Sequence, residues 1–482
     1  MEKVFDLESY MQNHMALAGD KLQDKECNNI DRFFRICEIV RQTFDQEWKE
    51  TDDLAKQRKL EREKRAMMGY EEEMSFYKEK IRMILSERNL LEQWYPDWYP
   101  DLTEGIFAEL YGLAGLAPWA YDMTESYRQS SSAKLIGDRI YCMIDGKVQL
   151  QPQRISGRRR EQLKRTLLLA TPHERLEYGF HEVYLRNGIR ITIYSGKRTK
   201  QDQEIMVFRK YVLEELNFAS LVEKKTIPAS AVPLFHAMIA TGFNVLFAGQ
   251  VRSGKTTFLQ IWQRHERRDL EGLALATDAE TPWHIIMPEV PLMQLIADGK
   301  ALEEMTKSLL RGDNDYLLME EMRDGAAFRM ALDMTSTGTS RCKATIHERD
   351  GINIPYRMAS KICEKYGGDE QQLIAQVFQN FDYAIELCQD PKDKSKKIMK
   401  GILEYGYDYK NNQVFCRRVC AYDFQEKIWR WNEKGGQIKL KKYPEERFHL
   451  EKVQAVFCKL GEENGMEDEI IYPAYYKGNR NE

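Results

Sequence analysis

The sequence predicts an α/β protein whose largest domain contains a mainly parallel sheet. A smaller mixed α/β domain and a helical segment are predicted to precede this sheet. The main observation is a glycine-rich loop between an apolar strand candidate and a helix candidate at 244–265. Three further apolar strand candidates follow the loop, and each ends in acidic residues or a histidine. Before the loop, short segments bounded by glycine are typical of strands in a mixed domain.

The composition indicates a multidomain protein with little general affinity for polyanions. The chain has 482 residues, which favours several domains, and its net charge of −4 argues against a general nucleic-acid binder. No apolar run reaches the roughly 18 to 20 residues of a membrane span, and the N-terminus lacks an apolar signal core. We therefore expect a cytosolic protein. The nine cysteines are scattered without a CxxC pair, which favours buried thiols over disulfides or a zinc site.

Changes in composition divide the chain into five segments. Residues 1–101 are predicted to be a helical extension, because 48–66 is densely charged with mixed sign and indicates a solvated helix. We expect this extension to be dispensable for ligand binding at the glycine-rich loop, because that loop lies beyond residue 240. The repeat WYPDWYPD at 94–101 marks its end, and its aromatic side chains either pack on the next domain, which we favour, or form a docking patch. The other segments are a mixed α/β domain at 102–222, a linker at 223–233, a P-loop domain at 234–425 and a C-terminal extension at 426–482.

The mixed domain contains three clear strand candidates and one basic helix candidate. The strand candidates are 139–145, 147–152 and 189–194, with glycines at the turns. The stretch RRREQLKRTLLL at 158–169 has helical character and a run of arginines. These charges could meet phosphate or acidic lipid, but a solvated helix face is the prediction we favour.

A phosphate-loop motif, G-x-x-x-x-G-K-T, occupies 249–256 between the strand and helix candidates that the motif requires. Glycines let backbone N–H groups surround phosphates, and the helix N-terminus adds positive potential. Lys255 is expected to face solvent in an empty loop and to reach the β- and γ-phosphates, while the Thr256 hydroxyl ligates Mg²⁺. The candidate nucleotide-binding residues in the loop are Gly249, Gln250, Val251, Arg252, Ser253, Gly254, Lys255, Thr256 and Thr257.

Polar residues end the next three strand candidates. These pairs are 273–277 with Asp278 and Glu280, 316–319 with Glu320 and Glu321, and 343–346 with His347. Because the carboxyl ends of parallel strands line one crevice, we expect these side chains near the phosphate loop. A carboxylate there can orient the attacking water or complete the shell of Mg²⁺. Glu320 and Glu321 point to opposite faces if the strand continues, so only one of them can face the nucleotide.

Two arginines flank the acidic strand candidate. Arg311 and Arg323 could each neutralise charge on the transferred phosphoryl group, in the same subunit or across a subunit boundary. The alternative for both is a surface salt bridge. His347 is likewise either a site residue or a loop histidine with local partners.

Several segments resemble the type II/type IV secretion ATPase superfamily, most closely the tight-adherence (Flp) pilus ATPases of the CpaF/TadA type. These segments are GQVRSGKTT, LLRGDNDYLLMEEMRDGAA at 309–327 and TSTGTSRCKATIHERD at 335–350, within a likeness that covers roughly 105–425. The resemblance implies a RecA-like P-loop domain that binds ATP and Mg²⁺ and assembles as a hexamer. It also implies a hinge near the linker that nucleotide hydrolysis opens and closes.

The resemblance also implies roles for individual residues. Glu321 becomes the glutamate that primes water, with Arg323 and His347 beside it, and Arg209 of FRKY becomes an arginine that closes over the nucleotide. The candidate catalytic residues are thus Glu321, Lys255, Arg323, Arg311 and His347, with Asp278 and Glu280 as the acidic box. The chain departs from the family pattern at Glu320, which replaces a usual glycine, and at Thr339, which replaces a usual histidine.

These observations favour an ATP-hydrolysing motor that powers a type IV/Flp-like pilus or a related secretion system. The resemblance implies that it acts from the cytoplasmic side, peripherally at the inner face of the membrane, on an inner-membrane platform protein. One alternative is a nucleotide-binding regulatory subunit with little turnover, because Ala279-Glu280 replaces the usual Glu-Asp of the acidic box and Thr339 replaces a histidine of the His box. Another is a DNA-translocating or conjugation ATPase of the same fold, although the net charge makes nucleic acid an unfavoured partner.

Overall fold

A computed structural model of the chain describes residues 21–48, 53–171, 179–200, 203–210, 217–276, 281–297, 299–439 and 446–477. The chain divides into two compact units, Met1–Val212 and Leu213–Glu482. Among the helices of these residues, none is long and apolar enough to cross a membrane. The cysteines within the described part of the chain for which a state is resolved are free thiols, five of them buried and three partly exposed.

The first unit combines helices with an antiparallel sheet. Its helices are α1 (Lys21–Trp48), α2 (Asp53–Met68), α3 (Glu71–Glu87), α4 (Leu102–Leu110), α5 (Ala117–Ala120), α6 (Glu125–Arg128) and α7 (Gly157–Leu169). Its strands are β1 (Ser132–Ile136), β2 (Arg139–Ile144), β3 (Lys147–Arg154), β4 (Phe180–Tyr184), β5 (Arg190–Tyr194) and β6 (Ile205–Arg209). The six strands described here form one sheet in the order β3-β2-β1-β6-β5-β4. The three strand candidates of the mixed domain therefore correspond to β2, β3 and β5.

The helices before residue 101 are not a solvated extension. Phe33, Val40 and Phe44 of α1 and Ile81 of α3 are almost fully buried, in one apolar core with the helices and strands of the mixed domain. The charged part of α2 is largely exposed, as its composition predicts. Apolar side chains three and four residues apart form a continuous stripe along α1, and this stripe packs into the core. The prediction of a solvated extension was wrong because it relied on the charged stretch at 48–66 and not on this stripe.

The WYPDWYPD repeat packs on the first unit, as favoured. Tyr99 is buried and stacks on Phe33, with their ring centroids 6.0 Å apart. Its hydroxyl donates a hydrogen bond of 2.6 Å to Glu109. Asp101 then caps α4 by accepting a 2.8 Å hydrogen bond from the backbone N–H of Glu104.

Helix α7 differs from the predicted solvated face, because two of its arginines are buried. Arg159 donates a 2.7 Å hydrogen bond to the carbonyl of Gly112, and burial lowers the pKa of its guanidinium to about 10. Arg160 pairs with Glu204 at 3.1 Å. Both arginines therefore lie inside the unit with hydrogen-bond acceptors, while Arg158 remains exposed.

The second unit contains the predicted parallel sheet. Its helices are α8 (Phe218–Glu223), α9 (Val232–Thr241), α10 (Lys255–Arg264), α11 (Trp283–Ile286), α12 (Gly299–Leu309), α13 (Gly325–Ser336), α14 (Ile354–Tyr366), α15 (Glu370–Asn380) and α16 (Arg447–Asn464). Its strands are β7 (Val245–Gly249), β8 (Gly272–Ala276), β9 (Leu292–Ile296), β10 (Tyr316–Met322), β11 (Lys343–Ile346), β12 (Tyr383–Gln389), β13 (Lys397–Asp408), β14 (Gln413–Asp423), β15 (Ile428–Trp431) and β16 (Glu469–Ile471).

The strand order brings the predicted polar ends together. Among the described residues the sheet runs β15-β14-β13-β12-β7-β11-β10-β8-β9, with β16 paired to β14. Strands β12, β7, β11, β10, β8 and β9 are parallel to their neighbours in this series. The predicted fold class is therefore confirmed. Strand β11 lies between the strand that leads into the phosphate loop and the strand that ends in the two glutamates.

The segment after residue 425 is part of the same unit rather than an appended extension. Strands β15 and β16 pair with β14. Trp431 and Phe457 are buried in the core that also contains Phe247 of β7. Lys439 is fully buried, and its ammonium pairs with Asp382 at 3.0 Å. This packing could not be predicted from the sequence, because the residues that the C-terminal segment contacts lie far from it along the chain.

Candidate nucleotide-binding site

The phosphate loop joins β7 to α10 in the way that its motif predicts. Gly249 ends the strand, and a Cβ added to it would lie 2.3 Å from the carbonyl oxygen of Leu387 and 2.4 Å from Oγ of Ser253. Gly254 precedes the helix with a φ of +91°, a left-handed conformation that favours glycine. Both glycines are therefore required by the local backbone, and the loop curls closely enough to surround a phosphate group.

Lys255 is buried within the loop, which contradicts the expectation of a solvent-facing side chain. It is 6 % exposed, and its ammonium donates a 2.9 Å hydrogen bond to the carbonyl of Gln250. The same nitrogen lies 3.2 Å from Nδ1 of His347. Burial lowers the pKa of Lys255 to about 8, although the negative charge of Glu321 partly opposes this effect.

His347 links the lysine to the acidic strand. Its Nε2 lies 2.6 Å from Oε1 of Glu321. Because an ammonium group can only donate, Nδ1 of His347 accepts from Lys255, and the neutral ring then carries its proton on Nε2 and donates to Glu321. Burial and the charge of Lys255 both lower the pKa of His347, against the opposing effect of Glu321, in agreement with a neutral ring.

Glu321 is held as a carboxylate at the end of β10. Burial raises its pKa, but the hydrogen bond and positive charge of Arg323, together with His347, outweigh this effect and keep the pKa below its ordinary value. The hydrogen bond from Arg323 reaches Oε2, the oxygen that His347 does not contact. The arrangement therefore presents an ionised, oriented carboxylate close to the phosphate loop.

A bulge in β10 separates the two neighbouring glutamates. The pairing of β10 with β11 shifts between Met319 and Met322, and Glu321 has a φ of +65°. The backbone N–H of Glu321 donates a 2.9 Å hydrogen bond to the hydroxyl of Thr345. Glu320 instead accepts hydrogen bonds from Thr281, at 2.6 Å, and from the indole of Trp283. The two carboxylates thus have separate partners, and Glu321 is the one that joins the Lys255–His347 pair.

The remaining loop residues offer both exposed and buried groups. Gln250, Val251 and Arg252 are exposed, whereas Thr256 and Thr257 are half-buried at the start of α10. Within the described part of the chain, the fully buried hydroxyl of Ser253 has no hydrogen-bond partner. A tight glycine loop with a helix N-terminus, a lysine and hydroxyl groups fits a nucleotide polyphosphate, with Thr256 in the position to hold its Mg²⁺.

One predicted site residue, Arg311, is not brought into this arrangement. Arg311 is exposed and precedes β10, so it lies toward the opposite edge of the sheet from Glu321, about 20 Å away for a strand of this length. Arg209 ends β6 in the first unit, where its backbone pairs with Ser132 and Arg190. The acidic box, Asp278 and Glu280, lies outside the described residues.

The structure also identifies supporting residues that the sequence did not single out. Thr345 orients the backbone of Glu321 from within the buried strand β11. Arg357 of α14 donates a hydrogen bond to the carbonyl of His347 and pairs with Glu348 at 3.3 Å. A polar residue inside the buried segment KATI was the available signal for Thr345, whereas nothing local indicated Arg357.

The topology and the loop define the second unit as a P-loop α/β domain that carries the candidate nucleotide site described above. Residues 201–422 match a protein family described as "Type II/IV secretion system protein". The resemblance seen in the sequence is therefore confirmed at the level of this family and over these residues. No curated protein sequence matches the chain.

Three solved structures with related folds match the chain weakly. The VirB11 ATPase of the Brucella suis type IV secretion system has 14 % identity and a TM-score of 0.31, with 60 % of this chain and 95 % of that chain covered. The pilus retraction motor PilT with bound ADP has 16 % identity and a TM-score of 0.42, and the match covers 56 % of this chain and 77 % of that chain. The Legionella pneumophila ATPase DotB has 14 % identity and a TM-score of 0.43, and the match covers 61 % of this chain and 80 % of that chain. These values are too low to assign the activity of any of these proteins to this chain.

Proposed function

We propose that this protein is an ATPase that drives a machine of the type II/type IV secretion class. The observation that carries the proposal is the chain of contacts from Lys255 through His347 to Glu321 beside an intact phosphate loop. The family match over 201–422 covers all of these residues and supports the same conclusion. An ionised carboxylate near a phosphate-binding lysine is the arrangement that hydrolysis of a phosphoanhydride requires.

Each residue has a chemical task in this proposal. The backbone of the loop and the ammonium of Lys255 bind the phosphates, and Thr256 holds Mg²⁺, which would supply positive charge against the phosphate oxygens. Glu321 orients the attacking water and accepts its proton. Hydrogen bonds from Arg323 and His347 fix the direction of this carboxylate. When a phosphate enters, Lys255 exchanges its contact with the carbonyl of Gln250 for a phosphate oxygen.

Steady-state phosphate release tests the proposal. We expect the wild-type protein to release phosphate from ATP in the presence of Mg²⁺. The rate for Glu321→Gln should be lower by at least about 100-fold, because this variant lacks the proton acceptor. Asp313→Asn is the matched control, because Asp313 is exposed and precedes the same strand. If both the wild type and Glu321→Gln bind ATP but neither releases phosphate, the protein is a nucleotide-binding regulatory subunit instead.

The finer assignment rests on the sequence resemblance. We propose a homohexamer of the tight-adherence (Flp) type that works from the cytoplasmic side on an inner-membrane platform protein. In this assembly Arg209 would close over the nucleotide, and Arg311 would act across a subunit boundary, because it is remote from Glu321 in its own chain. Light scattering after size-exclusion chromatography with ATP and Mg²⁺ tests the assembly, and a monomer under all nucleotide conditions would contradict it.

A further inference from the structure

A hairpin that the nucleotide motifs do not include lies beside the phosphate loop. Strand β12 runs parallel to β7, with Leu387 opposite Gly249. The chain then turns through 390–396 and returns as β13, whose first residue, Lys397, pairs with Gln389. A Cβ built on Gly254 would lie 3.5 Å from Cγ of Lys397. The stem of Lys397 therefore packs over the phosphate loop.

Lys397 approaches the loop from the side opposite to the catalytic carboxylate. Strand β7 has β11 on one side, which delivers His347, and β12 on the other, which leads into the hairpin. Glu321 lies beyond His347 on the first side. A nucleotide whose terminal phosphate lies near Glu321 must extend its nucleoside end away from that carboxylate. Lys397 lies on the opposite side of the loop from Glu321, and we take the nucleoside end to extend toward it.

The charges around Lys397 suit an anion. The residue is half-buried, and its ammonium donates a 2.5 Å hydrogen bond to the carbonyl of Lys394, which uses one of its three N–H groups. Burial lowers the pKa of Lys397, and the nearby positive charge of Arg252 lowers it further, against a smaller opposing effect of Asp393. Arg252 lies two residues before Gly254 on the loop that Lys397 covers, so a phosphate bound there would meet two positive charges.

We propose that Lys397 is a nucleotide-binding residue that contacts the α-phosphate of ATP and ADP. The inference rests on the proposed function, because it assumes that the loop binds a nucleotide with its terminal phosphate toward Glu321. It assigns to the β12–β13 hairpin a part of the site that the phosphate-loop motif does not contain. The simpler alternative is that Lys397 only packs against Gly254 and caps the hairpin.

The test compares the affinities of full-length variants for ATP and for ADP, measured by calorimetric titration. Lys397→Met retains the packing of the stem and removes the charge, whereas Lys397→Arg retains a cation. The matched control is Lys396→Met, since Lys396 is the exposed neighbour and its ammonium pairs with Asp393 at 3.7 Å. Thermal unfolding of each variant reports on whether the hairpin is intact.

We expect Lys397→Met to lower the affinity for ATP and the affinity for ADP equally, by about tenfold, which is the loss expected for one charge-assisted hydrogen bond. Lys397→Arg should recover most of this loss, and Lys396→Met should bind like the wild type. Wild-type affinity in Lys397→Met, or a loss confined to ATP, would overturn the inference while leaving the proposed function intact. A wild-type protein that binds neither nucleotide would overturn both.

Discussion

Replacing Lys255 with methionine should stabilise the fold while it removes nucleotide binding. The lysine is 6 % exposed, and its pKa falls from an ordinary 10.5 to about 8, chiefly because burial disfavours the charged form. Methionine has a similar length without the charge. The site therefore holds a cation at a cost to stability, as is common for residues that are retained for binding.

The size of the effect follows from the pKa. A fall from 10.5 to about 8 corresponds to roughly 3 kcal/mol, at about 1.4 kcal/mol for each tenfold change in proton affinity. Methionine also loses the contacts with Gln250 and His347, and hydrogen bonds of this kind contribute about 1 kcal/mol each. We therefore expect Lys255→Met to raise the free energy of unfolding by about 1 kcal/mol at pH 7.

The pH dependence provides the decisive measurement. Below about pH 8, Lys255 is protonated in both the folded and the unfolded wild type. The full cost of burying its charge therefore lowers the free energy of unfolding. Between about pH 8 and pH 10.5 the unfolded state binds more protons, and the stability of the wild type rises relative to the variant. Urea unfolding at pH 7 and pH 9.5 should show the advantage of Lys255→Met reduced by about 2 kcal/mol, so that the wild type becomes the more stable protein. A variant less stable than the wild type at pH 7, or a difference independent of pH, would refute this reasoning.

Two further predictions follow from close packing. Gly249→Ala should abolish nucleotide binding in an equilibrium titration, because the new Cβ would overlap the carbonyl of Leu387; Gly157→Ala, whose Cβ would meet nothing closer than 3.9 Å, should bind normally. Ile81→Ala should destabilise the first unit by about 2 to 5 kcal/mol in thermal unfolding, because Ile81 is fully buried. Met83→Ala, at a 62 % exposed position of the same helix, should change little, and equal effects would show that α3 is not part of the core.

The sequence predicted those features that depend on residues close together along the chain. Strands β10 and β11 begin at the predicted residues, because a short apolar run bounded by polar groups is typical of a strand buried in a parallel sheet. The phosphate loop joins β7 to α10 as its glycines require. The different surroundings of Glu320 and Glu321 were also expected from adjacent positions on one strand, although the bulge at Glu321 was not.

Predictions from charge content were less successful. Arg159 and Arg160 lie in a basic run that indicates a solvated face, yet both are buried because Gly112 and Glu204 provide hydrogen-bond acceptors. Likewise, 426–482 lacks a recognisable motif, but Lys439 from this segment pairs with Asp382 inside the core. Composition describes the average surroundings of a segment, whereas burial of a charge depends on a particular partner.

The sequence by itself determined the phosphate loop, the fold class and the residue types at the carboxyl edge of the sheet. Only the tertiary structure decided which of these residues meet. Lys255 contacts His347 across 92 positions of the chain, and this contact exists because β11 inserts between β7 and β10. The same arrangement buries Lys255 and lowers its pKa. Strand order is a property of the whole sheet, since each strand is placed by the apolar surface it buries against its neighbours, and a local motif carries no information about that choice.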